Sequence, residues 1–263
     1  MDLRRIAGGR AGRDEQGDAT AVWLEALERR HLADLTFSEV ARALRALSSC
    51  YVERRSRLAT GGALEGRGKR AAFALFYGPL HFLITRQIVR ELHLVPAVPV
   101  HRILDLGCGT GAAGAGWALE AGINRIAGFD MNPWAAGEAA WTYRTLGLSG
   151  RTRRADASRM PVSATGEDGI LLAYVLNELP APSRSLLRAR LLSFKTRGAS
   201  VLVIEPIARR VAPWWGEWEA SIVQAGGHSD EWRFPADLPR LQRDLAHAAG
   251  LDPRELTART LRL

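Results

Sequence analysis

Paired cysteines, clustered histidines, lysine and long apolar runs are what this 263-residue chain has least of, and each shortage removes a class of chemistry. The two cysteines, Cys50 and Cys108, form no metal-ligand pair, so a zinc or iron–sulfur site built on cysteine spacing is excluded. The six histidines, His31, His81, His93, His101, His228 and His247, are scattered without metal-binding spacing. No nucleophile elbow supports Ser-His-Asp chemistry. No stretch approaches the ~18 apolar residues of a membrane span, and residues 1–18 lack the apolar core of a secretory signal, so the expected location is cytoplasmic with no membrane partner. Lysine occurs only at Lys69 and Lys195, so the formal net charge of +8 is carried almost wholly by arginine. A polyanionic partner would suit that charge, because phosphate neutralisation supplies most non-specific affinity for nucleic acid. An arginine excess beside abundant Ala, Gly and Leu is equally what a GC-rich genome produces.

What is present begins at Ile103-Leu104-Asp105-Leu106-Gly107-Cys108-Gly109-Thr110-Gly111, a short apolar strand running into a glycine-rich turn. Glycine there lets the backbone turn sharply and lets a ligand approach closer than any Cβ would permit. A second apolar run, Arg125 to Asp130, ends in an acid about 20 residues further on, the spacing at which a carboxylate meets ribose hydroxyls in a parallel α/β sheet. The glycine spacing is G-x-G-x-G behind Asp-Leu, not the G-x-G-x-x-G that lays a pyrophosphate on a helix N-terminus. A carboxylate at Asp105 would repel a pyrophosphate and would suit a cationic ligand.

Further along, Asn132-Pro133 opens a helix with proline at its first position, and Gly147 closes it. Gly169 to Tyr174 is a near-continuous apolar run, as in a strand buried on both faces. It leads to Asn177 and Glu178 at the carboxyl edge, where open α/β sheets place their ligands. Helical spacing from Pro182 to Phe194, a strand from Ala199 to Glu205, a helix from Pro239 to Ala249 and a strand from Glu255 to Leu263 complete the pattern. One strand is evident after the last helix, so either the sheet stops there or His228 to Phe234 supplies its partner. Trp214, Trp215, Trp218 and Trp232 flank that variable segment, where they could stack on a base or simply pack a helix at i and i+4.

Before the sheet the periodicity is helical. Thr36 and Glu39 form a capping box, after which Val40, Leu44 and Leu47 share a face. A second stretch runs from Lys69 to Tyr77, is expected to break at Gly78-Pro79, and resumes through Leu80, Leu83, Ile84, Ile88 and Leu92. Three parts are expected: a basic, disordered tail at 1–18, a helical region at 19–98, and a ligand-binding domain at 99–263, with Pro96 to Pro99 as connector. Arg54, Arg55, Arg57, Arg67, Lys69 and Arg70 crowd the joint between helices, and Arg151, Arg153 and Arg154 lie near the expected cleft edge. Arginine forks bind phosphate bidentately and stack on bases.

The string DLGCGTG resembles the first motif of class I S-adenosylmethionine-dependent methyltransferases. The resemblance implies a Rossmann-like, doubly wound, mostly parallel α/β sheet and S-adenosyl-L-methionine as cofactor. It implies that Asp105 reaches the ligand's ammonium group and that the glycines face its amino-acid moiety. The cofactor-binding set it implies is Asp105, Gly107, Cys108, Gly109, Gly111, Asp130, Met131, Asp156, Ala157 and Tyr174, with Asp156 at the adenine. No metal is implied. Direct transfer of an already activated methyl needs alignment and exclusion of water more than catalytic side chains. Asn177 and Glu178 are the candidates to hold the acceptor. Neither cysteine follows a proline after the fourth or fifth strand, so the covalent route of cytosine-C5 methyltransferases is not supported. Asn177-Glu178-Leu179-Pro180 also differs from the Asn/Asp-Pro-Pro-aromatic string of adenine amino-methylating enzymes.

Leu47 to Arg55, Leu104 to Gly111, Tyr174 to Leu179 and Val201 to Pro206 together resemble the small-ribosomal-subunit methyltransferase-like family of bacteria and mitochondria, over roughly residues 36–210. That resemblance implies the small ribosomal subunit or its RNA as partner. Mitochondrial members carry cysteines for an iron–sulfur cluster, and this chain has none to spare. Three functions stay open: an RNA methyltransferase, a ribosome assembly factor that binds the cofactor without turnover, and a methyltransferase for a small aromatic or amine metabolite in a tryptophan-lined pocket.

Overall fold

The computed structural model describes residues 19–53, 64–92, 100–159, 163–208, 212–251 and 253–263. The tail at 1–18, the Pro96 to Pro99 connector, His93, and Arg54, Arg55 and Arg57 fall outside these residues.

Each sheet strand is a short apolar run, and alternation within it divides the core. In β1 (Arg102–Leu106), Ile103 joins one apolar cluster while Leu104 and Leu106 join the other. The same division separates Leu171 from Ile170 and Leu172 in β4 (Asp168–Ala173), and Leu202 and Ile204 from Val201 and Val203 in β5 (Ser200–Glu205). Successive side chains point to opposite faces, so a strand apolar at every position must be covered on both sides. With β2 (Arg125–Asp130), β3 (Ser149–Arg154), β6 (His228–Pro235) and β7 (Glu255–Arg262), the order is β3-β2-β1-β4-β5-β7-β6. The first five strands pair in parallel, and β7 pairs antiparallel with both β5 and β6. The His228 segment is therefore the second strand of the terminal antiparallel pair, with Glu231 opposite Arg259 and Asp230 opposite Thr260.

One face is covered by α5 (Ala112–Glu120), α6 (Pro133–Thr145), α9 (Arg240–Ala248) and the amino-terminal helices, whose buried side chains include Trp117, Tyr143, Leu245 and Leu75. The other is covered by α7 (Ala181–Thr196) and α8 (Trp215–Gln224) through Leu187, Leu191, Phe194, Trp215, Trp218 and Ile222. Fully burying one such large side chain contributes about 1.5–3 kcal/mol. Asn132 caps α6, its Oδ1 accepting from the amides of Trp134 (3.0 Å) and Ala135 (3.3 Å), and Gly147 follows the helix at φ 72°.

The amino-terminal helices are not a separate body, because their apolar residues belong to the same cluster as the sheet. Helix α1 spans 19–31, and its Trp23 meets Phe82 at 5.0 Å. It is also tied to α6, where the buried Glu138 carboxylate takes hydrogen bonds from Arg30 (3.2 Å) and His31 (2.7 Å). Helix α2 (Phe37–Glu53) starts with the expected capping box: the Thr36 amide donates to Glu39 at 2.8 Å and the Glu39 amide to Thr36 Oγ1 at 3.3 Å.

The expected break at Gly78-Pro79 does not occur. Helix α3 (Arg67–Ala72) runs through a π-turn, Phe73–Tyr77, straight into α4 (Gly78–Glu91), and Gly78 keeps helical angles (φ −53°, ψ −58°). The wider turn is how the chain accepts a mid-helix proline, with the Gly78 amide reaching back to Phe73. Pro79 has no N–H for the carbonyl of Leu75 four residues back, and Gln242 from α9 donates to that carbonyl at 2.8 Å. The first and last parts of the chain are thereby joined at the turn that faces the sheet's carboxyl edge.

Candidate cofactor and acceptor site

Between β1 and β4 the winding of the sheet reverses, and open α/β sheets bind ligands at that switch point beyond the strands' carboxyl ends. A cleft of about 880 Å³ opens there, within the range of small-molecule sites. Its lining includes Asp105, Gly107, Cys108, Gly109, Asp130, Met131, Asp156, Ala157, Tyr174, Asn177 and Glu178. Eleven of the twelve residues expected from sequence are thus brought together. Gly111 is the exception: it starts α5 at φ 76°, and a Cβ there would lie 2.7 Å from the ring of Tyr143. The packing of α5 on α6 by itself requires glycine there.

The carboxyl of Asp105, only 1% exposed, ends β1 with no hydrogen-bond partner for Oδ2. Burial first, and the charge of Asp130 second, push its pKa up to about 7. An orphaned carboxylate oxygen in such a place fits a cationic ligand group. Asp130 closes β2, accepting from the amides of Gly109 (2.9 Å) and Asn132 (2.8 Å), which fixes its carboxylate across the glycine turn. Burial raises its pKa and those two amides oppose the rise. Each of its oxygens retains a lone pair for a ligand hydroxyl. Asp156, past β3, is held by the amide and hydroxyl of Ser158 at 2.8 and 2.7 Å. The Cys108 thiol is pushed well up by burial and by the charges of Asp105 and Asp130, so it is no nucleophile.

Beyond β4 the chain bends at Tyr174, the single non-glycine residue of positive φ (62°) among the described residues. Such a backbone costs about 1–3 kcal/mol and persists where the surroundings hold it. His81 of α4 holds it, stacked on the Tyr174 ring at 3.9 Å and 14°. Phe73 and Tyr77 of the π-turn extend this aromatic wall, their centroids 6.1 Å from that of His81. Phe73 also covers the glycine turn, since a Cβ on Gly109 would lie 3.6 Å from its ring. Burial pushes the His81 pKa down to about 3, so the stacked ring is neutral.

Opposite the wall, a short 3-10 turn (Leu176–Glu178) carries Asn177 and Glu178. Glu205, 0% exposed at the end of β5, anchors the turn: Oε1 accepts from the Leu176 amide at 2.8 Å and Oε2 from Asn177 Nδ2 at 2.7 Å. Trp214 Nε1 donates to Asn177 Oδ1 at 3.3 Å, so both ends of that amide are fixed. Burial first, then the charges of Asp130 and Glu205, push Glu178 up to about 8. Sequence reasoning missed Glu205, His81, Phe73 and Tyr77 as parts of this site, and it offered Trp214 as a base-stacking ring, not as a hydrogen-bond donor to Asn177. An acid ending a buried strand before Pro206 was the one available signal.

Among the described residues no group of His, Cys, Asp and Glu could hold a metal, and no helix is long and apolar enough to cross a membrane. Among the described residues the cleft lining holds five carboxyl groups, from Asp105, Asp130, Asp156, Glu178 and Glu205, and no lysine or arginine. In a chain of net charge +8, this is a site for a cation and hostile to a pyrophosphate.

Residues 103–195 match the family model described as a methyltransferase domain. Similar solved structures include a candidate O-methyltransferase from Nostoc punctiforme PCC 73102 (15% identity, 84% of this chain and 72% of that one, TM-score 0.51). The N-methyltransferase NodS from Bradyrhizobium japonicum WM9, in complex with S-adenosyl-L-homocysteine, is 16% identical over 70% of this chain and 86% of its own, with TM-score 0.47. A SAM-dependent methyltransferase from Aquifex aeolicus is 14% identical over 70% and 91%, with TM-score 0.46. At such identities the likeness to the Nostoc protein speaks for the fold. No curated protein matches the chain. Residues 103–195 are thus similar to a methyltransferase domain, and the doubly wound, mostly parallel sheet is the fold of such domains. None of these matches specifies an acceptor.

Proposed function

We propose that the protein transfers the methyl group of S-adenosylmethionine to RNA, with the RNA of the small ribosomal subunit as the favoured partner and the cytoplasm as its place of action. The observation that carries the reading is a contrast in charge. Edge strand β3 exposes Arg151, Arg153 and Arg154 on the side of a cleft whose lining, among the described residues, contains no lysine or arginine. Arg154 reaches the rim directly, its Nε donating to the Met131 carbonyl at 3.1 Å. Phosphates would be attracted to the rim and repelled from the interior. The sequence strings Tyr174 to Leu179 and Val201 to Pro206 support the ribosomal partner by resemblance alone.

In this reading Asp105 pairs with the cofactor's ammonium group, Asp130 takes its ribose hydroxyls, Met131, Asp156 and Ala157 frame its adenine, and Gly107, Cys108, Gly109 and Tyr174 border its methionine end. The bound cofactor supplies a methyl on a sulfonium centre. The chain aligns an acceptor beside Asn177 and Glu178 and keeps water out with the aromatic wall.

Transfer of radiolabelled methyl from S-adenosylmethionine to ribosomal RNA tests the proposal. Transcripts should be labelled by wild type, and an Arg151→Glu, Arg153→Glu variant should lose most RNA binding while keeping cofactor affinity. RNA retention without label favours the assembly-factor alternative. Label entering only small amines favours the metabolite alternative, although among the described residues no tryptophan lines the cleft.

A further inference from the structure

We propose that the acceptor is a planar heteroaromatic ring bearing an exocyclic amino group, an amino nucleobase, held between the His81–Tyr174 stack and the Asn177–Glu178 turn, with Glu178 taking the proton released on transfer. This rests on the RNA reading and narrows it from a polymer to one group on it.

Charge excludes much of the nucleotide from the inner cleft. Among the described residues five carboxyl groups face it with no lysine or arginine, so a phosphate is held outside, on the side of Arg154, while an uncharged base enters. Shape adds the second constraint. His81, Tyr174, Tyr77 and Phe73 form an aromatic wall beside the glycine turn, and base stacking on such a surface is worth about 1–3 kcal/mol whichever base is present. His81 stays neutral, so the wall adds no positive charge.

Hydrogen bonding then selects among bases. Once Glu178 is ionised, above about pH 8, the groups offered by the turn are mainly acceptors: its carboxylate and one lone pair of Asn177 Oδ1, whose other partner is Trp214 Nε1. Asn177 Nδ2 already gives one hydrogen to Glu205, which fixes the direction of the amide. An amino group donates to such a set, whereas a carbonyl at the same ring position would meet oxygen with oxygen. Glu205 and Trp214 are positioning residues, acting through Asn177.

The step balances without a further reactant. A C–N bond forms between the methyl carbon and the amino nitrogen while the S–C bond breaks, its electron pair returning to sulfur as the neutral thioether. The displaced N–H proton passes to the Glu178 carboxylate and from there to solvent. An exocyclic amine is a poor nucleophile because its lone pair is delocalised into the ring, so a base that removes its proton contributes to the rate. The charges that act on Glu178 are those of Asp130 of β2 and Glu205 of β5, with the uncharged His81 of α4 and Tyr174 after β4 in the same lining. Arg184 of α7 lies beside the turn, donating to the Leu179 carbonyl and interacting with the charge of Glu205. The two carboxylates make Glu178 a stronger base once ionised.

Two measurements test this. Methylated RNA is digested to nucleosides and resolved by mass spectrometry: N-methylated amino bases are expected, whereas ribose 2′-O-methyl, carbon-methylated or uridine products overturn the proposal and leave the RNA reading standing. No labelled RNA at all, with cofactor bound, overturns both. Independently of turnover, the protein with its cofactor site filled by S-adenosylhomocysteine is titrated with cytidine, uridine, adenosine and inosine, following tryptophan fluorescence. Above pH 8, where Glu178 is ionised, cytidine should bind at least about tenfold tighter than uridine and adenosine than inosine, because an oxo group leaves buried acceptors unpaired. Equal binding overturns the proposal. Glu178→Gln, close in shape to the wild type, should slow transfer about 10²-fold or more and abolish the rise in rate up to about pH 8 expected of wild type. A Gln variant with the wild-type rate and pH profile removes Glu178 from the step.

Discussion

Replacing Asp105 by Asn tests the electrostatics of the cleft, because it removes a charge while nearly keeping a shape. In the ligand-free protein the Asp105 carboxyl titrates at about 7 instead of 3.8. At 1.36 kcal/mol per unit, burying it ionised therefore costs on the order of 4 kcal/mol. The folded state holds a proton that the unfolded chain has already lost, so ligand-free stability falls as pH rises from about 4 to about 7 and levels off above. Asp105→Asn removes this contribution, and its ligand-free form should be more stable than wild type at pH 8. Glu178, pushed up to about 8, adds a slope of the same sign between about 4.5 and 8, so the comparison is cleanest in a Glu178→Gln background. Binding should move the opposite way. A cationic group requires the ionised carboxylate, so wild-type affinity for S-adenosylmethionine should rise with pH up to about 7, with protons released on binding below that point. The Asn variant should bind about 10- to 150-fold more weakly at pH 8, the loss of a hydrogen bond between charged groups of about 1.5–3 kcal/mol, and should show little dependence on pH. Calorimetry in two buffers of different ionisation enthalpy reads both affinity and proton release. An unchanged affinity in the variant, or no proton release from wild type at pH 6, would refute the reasoning.

Other expectations follow from the same geometry. Gly111→Ala, forced to φ 76° and against the Tyr143 ring, should destabilise the fold by about 2–4 kcal/mol in urea titration; a loss under 1 kcal/mol would contradict the packing role assigned to it. Trp214→Phe should leave cofactor affinity within about twofold but weaken acceptor binding severalfold, since one buried hydrogen bond to Asn177 goes; steady-state kinetics with varied RNA would read this as a raised KM. Gln242→Leu should cost about 1–3 kcal/mol in thermal unfolding by leaving the buried Leu75 carbonyl without that donor, and an unchanged Tm would show the carbonyl to be satisfied otherwise.

How much of this was legible in the sequence depended on how local the causes were. The glycine turn, Asp105 and Asp130 were readable because strand, turn and acid follow one another within one βαβ unit. The Thr36–Glu39 box and the Asn132 cap were readable for the same reason, each being set by neighbours within three residues. The steric need for glycine at 111 is not legible locally, because it comes from Tyr143, a residue of the next helix. Pro79 was read as a breaker because the accommodating π-turn and the Gln242 donor are invisible to local propensity. The acceptor side was the least legible part: His81 and Tyr174 lie 93 residues apart, and Asn177 owes its orientation to Glu205 and Trp214 from two later segments. Only the sheet order, which sets β5 beside β4, brings Glu205 to the tip that Asn177 occupies.

The measurement that tests the central claim most directly is calorimetric titration of S-adenosylmethionine into wild type and Asp130→Ala, with NAD as control. The account predicts that S-adenosylmethionine binds wild type, that NAD with its pyrophosphate does not, and that the substitution weakens the sulfonium ligand by about 1–3 kcal/mol through unpaired ribose hydroxyls. Binding of NAD at comparable strength, or an S-adenosylmethionine affinity unchanged by Asp130→Ala, would contradict it.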